Sequence, residues 1–415
     1  MHYKRSTCRL CTSPNVSLIY AMPACPPVDN YRFEEDPQIN LPAFPMDLYM
    51  CRACGHAQLL DVVDPEILFG NYIYTSGSSP DLDAHFTAYA ERLTDYARLS
   101  PESLVVDIGS NDGLLLSKFR SKGVRIQGVD ASNSVSKQAI DGGIPTIVSF
   151  FTAAVAREIR AAIGKADLVC ANNVFSHSDN LRGFAEAVRD LLKPDGLFVF
   201  EVSYLRDLVE NRVVDYVYHE HLAHHSIKPL KIFFESLSMR LIDVERVTTK
   251  GGSIRCYAAL AKSTWTTQSI VQRMILAEET VGLYRHEVYV ALKQEMETIG
   301  LKTRVMLEAE VSKGGKVACY GASATSTVIT SIFDVNKYFS LIVDDNPIRQ
   351  GRLSPGYKIQ VKSNSEFLAE NPAITFIAAW RFADMIISRN KLYLATGGAF
   401  IVPLPAFKVV GRGGL

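Results

Sequence analysis

Apolar runs of strand length alternate with segments whose apolar residues recur three and four apart through the middle of the chain. Residues 104–108 read as a buried strand, 114–121 as a helix, 125–130 as a second strand and 134–142 as a helix. A short extended piece, 146–148, leads to a helical pattern at 152–163. Then come a strand pattern at 166–171, a helix at 181–192 and a strand at 196–202. This alternation predicts an α/β fold with a doubly wound, mainly parallel sheet. A helix after Leu230 and two strand patterns, 240–246 and 253–260, are expected to extend it. Residues 265–313 read as one long helical stretch interrupted only by Gly282 and Gly300. Alternation then restarts at 316–320, 341–345, 374–380 and 399–403, predicting a second, smaller Rossmann-like α/β unit. The first 70 residues differ, being rich in turns and in Pro23, Pro26, Pro27, Pro37, Pro42 and Pro45. Such a segment builds little core unless something staples it. The pattern divides the chain into 1–70, 71–263 and 264–415, with a polar, aromatic linker at 71–80 and a mixed helix at 81–99.

Cysteine spacing supplies the staple. Of eight cysteines, four form two pairs, Cys8-x-x-Cys11 and Cys51-x-x-Cys54. One tight turn aims both thiolates of a pair at one ion, and two turns complete a tetrahedral shell, so the expected ligand is Zn²⁺. His56 is read as a neighbour of this set. The chain has 415 residues, 47% apolar and 21% charged, with 44 basic and 44 acidic side chains. That balance argues against nucleic-acid or membrane-surface partners. No apolar run approaches the roughly 20 residues that cross a bilayer, and no signal-peptide pattern opens the sequence. A cytoplasmic monomer is expected.

Three constellations carry chemistry. The first, Asp107-Ile108-Gly109-Ser110-Asn111-Asp112-Gly113, is an acidic, Gly-rich turn between a strand and a helix. Ligands bind doubly wound sheets at the carboxyl ends of strands, and Gly109 and Gly113 are expected to let backbone approach one closely. The turn has no Lys and lacks the G-x-G-x-x-G spacing of dinucleotide sites, so it suits a cationic ligand better than a pyrophosphate. Asp130, ending the next strand, is expected to accept ribose hydroxyls. Together these resemble the S-adenosylmethionine site of class I methyltransferases. The second constellation, Asn172-Asn173-Val174-Phe175-Ser176-His177, follows the fourth strand and faces the same site. The third, Tyr218-His219-Glu220-His221-Leu222-Ala223-His224-His225, holds four of the nine histidines. It lacks helical metal-site spacing, and a neutral imidazole suits removal of a C–H proton beside a carbonyl.

These segments, followed by Gly251-Gly252-Ser253-Ile254-Arg255, Tyr320-Gly321-Ala322 and Val402-Pro403-Leu404-Pro405, stand in one order. The whole resembles the sugar-nucleotide C-methyltransferases of deoxysugar biosynthesis, essentially end to end. The resemblance implies an N-terminal zinc-binding domain, a class I S-adenosylmethionine methyltransferase domain and a C-terminal α/β domain that helps hold a nucleotide sugar. It implies methylation at C3 of a dTDP-4-keto-deoxyhexose, with His221 as the base. It also implies supporting roles for His177, Tyr218, Glu220 and either Tyr72 or Tyr74. His224 and His225 stand where the family commonly has an aromatic, Thr325 where it has Lys, and Arg381 where it has Asn. Arg381 is thereby a candidate phosphate or base contact.

Other readings predict other features. An O- or N-methyltransferase needs no carbonyl-acidified carbon. A zinc-ribbon nucleic-acid methyltransferase or binding module needs an uncompensated basic surface around the cysteines, but Glu34, Glu35, Asp36 and Asp47 offset Arg5, Arg9 and Arg52. An NAD-dependent enzyme would rest on the single Gly321 turn.

Overall fold

A computed structural model describes residues 2–36, 41–69, 75–78 and 80–411. Its central sheet has seven strands in the order Met239–Val247, Ser253–Leu260, Leu192–Ser203, Ala166–Cys170, Leu104–Ile108, Arg125–Asp130, Thr146–Val148. Ser253–Leu260 is antiparallel to both neighbours and the other pairs are parallel. All five residues of Leu104–Ile108 are buried, as a parallel strand covered on both faces requires. The chain begins this sheet at its centre, winds out through Arg125–Asp130 and Thr146–Val148, and returns across to Ala166–Cys170. The reversal leaves a crevice where Leu104–Ile108 and Ala166–Cys170 end.

Flanking helices follow the apolar spacing. Helix Leu181–Leu191 buries Leu181, Phe184, Ala185, Val188 and Leu191, and the Asn180 side chain caps it by accepting the Gly183 N–H at 3.0 Å. The expected long helical stretch is two helices, Ser269–Thr280 and His286–Ser312. The break falls at Gly282, whose φ is +69°, while Gly300 is carried inside the second helix.

The N-terminal segment pairs His2–Lys4 with Asp61–Val63 and builds an antiparallel sheet from Val16–Tyr20, Leu48–Cys51 and Ala57–Leu59. A fourth strand joins that sheet from far along the chain: Ala223–His224 pairs with Ala57–Leu59. The C-terminal sheet orders Val361–Lys362, Leu341–Val343, Val317–Tyr320, Ile374–Ile377, Phe400–Val402 and Lys408–Val410. All its pairs are parallel except the last. One hydrophobic cluster runs from Ile19 and Met50 through Leu205, Val217 and Leu222 to Ile329 and Phe376. The N-terminal and C-terminal units therefore enclose the histidine-rich segment between them. Among the described residues, no helix is long and apolar enough to cross a membrane.

Candidate active site and metal centre

The two cysteine pairs converge. Cys8 Sγ lies 3.7 Å from Cys54 Sγ, Cys11 Sγ lies 3.5 Å from Cys51 Sγ, and all four sulfurs fall within 4.8 Å of one another. Four thiolates held about 2.3 Å from one ion at tetrahedral angles stand about 3.8 Å apart, so this set fits zinc as it is. The contact with Cys54 pulls the Cys8 thiol down to about 5, while burial lifts Cys11 to about 11. His56 is buried beside the knuckles but is not one of the converging ligands. Its ring faces His225 at 5.5 Å.

The first knuckle also carries Arg9, which is 1% exposed. Its guanidinium donates to Asp179 Oδ1 at 3.0 Å and to Gln58 Oε1 at 3.2 Å. Asp179 lies two residues beyond His177. The metal-stapled turn thus braces one wall of the crevice.

That crevice is a cleft of about 340 Å³. Its lining includes Asp107, Gly109, Ser110, Asn111, Asp130, Asn172 and Asn173. Asp130 accepts backbone N–H groups from Asn111 and Ser132, each at 2.9 Å, which fixes the carboxylate at the strand end. Burial raises both Asp107 and Asp130, and Asp130 adds to the rise at Asp107. Asn172 accepts the Glu201 N–H at 3.1 Å, and its buried Nδ2 has no protein partner. Two carboxylates deprived of a cation and an orphaned amide donor fit S-adenosylmethionine, which brings a cationic amine and sulfonium, ribose hydroxyls and a carboxylate.

Two residues expected to hold the cofactor do other work. Asp112 accepts the Leu114 N–H at the start of a helix and the Gly77 N–H of the linker at 2.7 Å, and it does not line the cleft. Gly113 sits at the N-cap of Leu114–Arg120 with φ +79°, outside the lining. Gly109 lines the cleft, but protein packing demands its lack of a side chain. With φ +73°, a Cβ there would meet Val174 Cγ2 at 2.1 Å. Asn111 lines the cleft and also accepts the Ser76 N–H at 2.9 Å.

The same cleft is also lined by His177, Tyr218, Glu220, His221 and Lys250. The segment 218–221 turns, with the His221 N–H donating to the Tyr218 carbonyl at 2.8 Å. The turn sends its histidines to different faces. His221 Nδ1 donates to the Tyr216 carbonyl at 2.7 Å, so the proton is on Nδ1 and Nε2 carries the lone pair. Its ring lies 4.1 Å from that of Tyr218 and stacks at 5.3 Å on His177. His219 points away and contacts the Phe44 carbonyl at 3.1 Å. His224 and His225 are buried against the N-terminal unit and Phe175, the latter stacked on His225 at 5.3 Å, and neither lines the cleft.

Burial lowers His221 to about 4 and His177 well below the usual imidazole range, and Lys250 adds to both. Burial lifts Glu220 to about 8, with Asp29 adding to the rise and Lys250 and Arg349 opposing it. Tyr72 and Tyr74 lie outside the described residues.

Arg381 is not a free anion contact. Its NH1 and NH2 grip both oxygens of Asp215 at 3.0 and 2.7 Å, and Trp380 Nε1 donates to the same carboxylate at 3.0 Å. Asp215 is fully buried and precedes Tyr216, whose carbonyl orients His221. The C-terminal unit therefore pins the loop that carries His221 through Arg381. Lys250, which also lines the cleft, carries no sequence signal of its own beyond preceding Gly251-Gly252.

The strand order, with a crevice at the switch point and one antiparallel strand, defines a class I methyltransferase fold. Comparison with known families extends this over the chain. A zinc binding domain model matches residues 8–69, a methyltransferase domain model 83–236, and a C-methyltransferase C-terminal domain model 248–405. The chain is 31% identical over 404 residues to C-methyltransferase NovU of Streptomyces niveus, covering 97% of this chain and 96% of the relative. It belongs to the C-methyltransferase family and is an S-adenosylmethionine-dependent methyltransferase with an N-terminal zinc-binding domain.

Two solved structures overlap it in part. Magnesium protoporphyrin IX methyltransferase from Synechocystis PCC 6803 is 15% identical, covering 43% of this chain and 79% of that one, with a TM-score of 0.33. The PH0226 protein from Pyrococcus horikoshii OT3 is 16% identical, covering 47% and 98%, with a TM-score of 0.36. Scores this low carry no weight for the fold, which rests on the strand order.

Proposed function

We propose that this C-methyltransferase acts on a nucleotide-linked 4-keto-deoxysugar, adding a methyl group to C3. The observation that carries the reading is His221: one ring nitrogen is tied to a backbone carbonyl, leaving the other unprotonated at neutral pH inside the cleft that would hold the cofactor. Carbon attacks a methyl group only after losing a proton, and a ketone on the adjacent carbon makes that proton removable. Bound S-adenosylmethionine supplies an electrophilic methyl on a cationic sulfur. His221 Nε2 takes the C3 proton while Nδ1 stays on the Tyr216 carbonyl, so the ring neither rotates nor changes tautomer. Tyr218 and His177 flank the imidazole and polarise the ketone oxygen. Glu220, protonated at neutral pH by its burial, donates to a sugar hydroxyl. Asp107, Asp130 and Asn172 bind and orient the cofactor. The C-terminal unit contributes to holding the nucleotide, by groups other than the Arg381 guanidinium.

The test is hydrogen–deuterium exchange beside the ketone, in heavy water without methyl donor, over a panel of dTDP-, GDP- and UDP-linked 4-keto sugars. His221→Ala should lose both exchange and methylation while keeping its affinity for S-adenosylmethionine. Methylation of an oxygen or nitrogen by the wild type would refute the carbanion route.

A further inference from the structure

Lys250 occupies an unusual backbone position. Its φ of +56° and ψ of +29° are left-handed, a conformation disfavoured for a long-chain residue because Cβ crowds the following carbonyl. Gly251 and Gly252 follow at φ +85° and +125°. The turn is pressed against its surroundings: a Cβ on Gly252 would stand 2.4 Å from Asp207 Cβ, and one on Gly251 would stand 3.0 Å from Arg381 Nε. It is also tied from outside. The Tyr204 N–H donates to the Gly252 carbonyl at 3.2 Å, and Asn211 Nδ2 to the Gly251 carbonyl at 3.3 Å. A strained turn held this firmly keeps the lysine at the cleft wall, in the company of His177, Tyr218, Glu220 and His221.

No described residue takes a hydrogen bond or ion pair from its ammonium. Glu201, whose charge acts on Lys250, is already engaged by Arg255 at 2.7 Å and His85 at 2.8 Å. Burial depresses Lys250, with Glu201 and Glu220 opposing. The cleft therefore places a lysine beside two imidazoles, with no anion among the described residues committed to it.

We infer that Lys250 is a further catalytic residue, whose ammonium binds the ketone oxygen and stabilises the enolate formed on it. This rests on the proposed carbon deprotonation. When His221 Nε2 removes the proton, the C–H pair becomes the C=C bond and the carbonyl π pair moves onto oxygen. That oxygen gains a full negative charge, which neutral His177 and Tyr218 meet only with hydrogen bonds. Lys250 meets it with opposite charge in a site sheltered from water, where such a contact acts mainly on the transition state. As the carbon then takes the methyl group, the S–CH₃ pair stays on sulfur and the oxygen returns to a ketone, releasing the lysine.

The experiment compares wild type, Lys250→Met, Lys250→Arg and Lys250→Ala in the same exchange assay, in methylation, and in calorimetric binding of S-adenosylmethionine. Lys250→Met should slow both exchange and kcat by roughly 10²- to 10³-fold, with cofactor affinity unchanged. Lys250→Arg should retain part of the rate, and propylammonium should restore exchange to Lys250→Ala. Unchanged exchange in Lys250→Met, or a rise confined to the sugar-nucleotide KM as a phosphate contact would give, overturns the inference. A variant that loses cofactor binding is judged by the Arg variant and the amine rescue; if both fail while His221→Ala behaves as expected, the inference falls. Absence of exchange in wild type overturns the deprotonation reading instead.

Discussion

Replacing Arg381 by Met removes the guanidinium facing Asp215 while keeping much of the side-chain volume. Asp215 is fully buried, accepts two bonds from Arg381 and one from Trp380, and keeps the last, with its own backbone N–H, in the variant. Removing one partner of a buried ion pair costs about 3–5 kcal/mol, because the other charge is left uncompensated. Arg381 is itself partly exposed, at 18%, and the Trp380 bond remains, so the lower end, about 3 kcal/mol, is expected. With a denaturant slope of about 3 kcal/mol per molar urea, the transition should move down by about 1 M. The chain has two tryptophans, and in a Trp265→Phe background the fluorescence of Trp380 reports this contact directly.

The pH dependence has a definite sign. Burial already raises Asp215, with Arg381 opposing; without the arginine it rises further. The folded state then holds a proton that the unfolded chain releases near pH 4, so stability falls as pH climbs through the raised folded value and levels off above it. The deficit should be smaller at pH 5 than at pH 8. The double variant Arg381→Met/Asp215→Asn, which has no charge to strand, should recover about half of the loss. A single variant within about 0.5 kcal/mol of wild type, or a double variant no better than the single, would show that this pair does not hold the loop.

Elemental analysis of reductively purified protein should give one zinc per chain, and Cys51→Ser should lower metal content and destabilise the N-terminal unit; a metal-free wild type refutes this. Asp130→Ala should weaken S-adenosylmethionine binding by about 1–3 kcal/mol by calorimetry, because a buried hydroxyl partner goes unpaired; unchanged affinity removes Asp130 from the site. The kcat/KM profile should rise through an acid limb near pH 4 as His221 becomes neutral and fall near pH 8 as Glu220 loses its proton. An acid limb near 6.5 would instead indicate a base in contact with solvent.

The β/α order of the central sheet, both cysteine knuckles and the acidic glycine turn were legible in the sequence, because each is a local pattern. Alternating burial, ligand spacing and a strand–turn–helix junction depend on residues a few positions apart. What each side chain does was decided by chain closure. Four histidines within seven residues look interchangeable in one dimension. A single turn at 218–221 sends His221 into the cleft, His219 to the Phe44 carbonyl, and His224 and His225 under the N-terminal sheet. The strand Ala223–His224 has too little length to signal itself and exists because the edge of Ala57–Leu59 is there to pair with. Arg381 read as an anion contact because its partner stands 166 residues away. Asp112 read as a cofactor ligand because the linker it anchors packs on it only in the folded chain. Lys250 drew no notice because an isolated lysine carries no pattern; only the left-handed turn of the folded chain sets it on the cleft wall with His177 and His221.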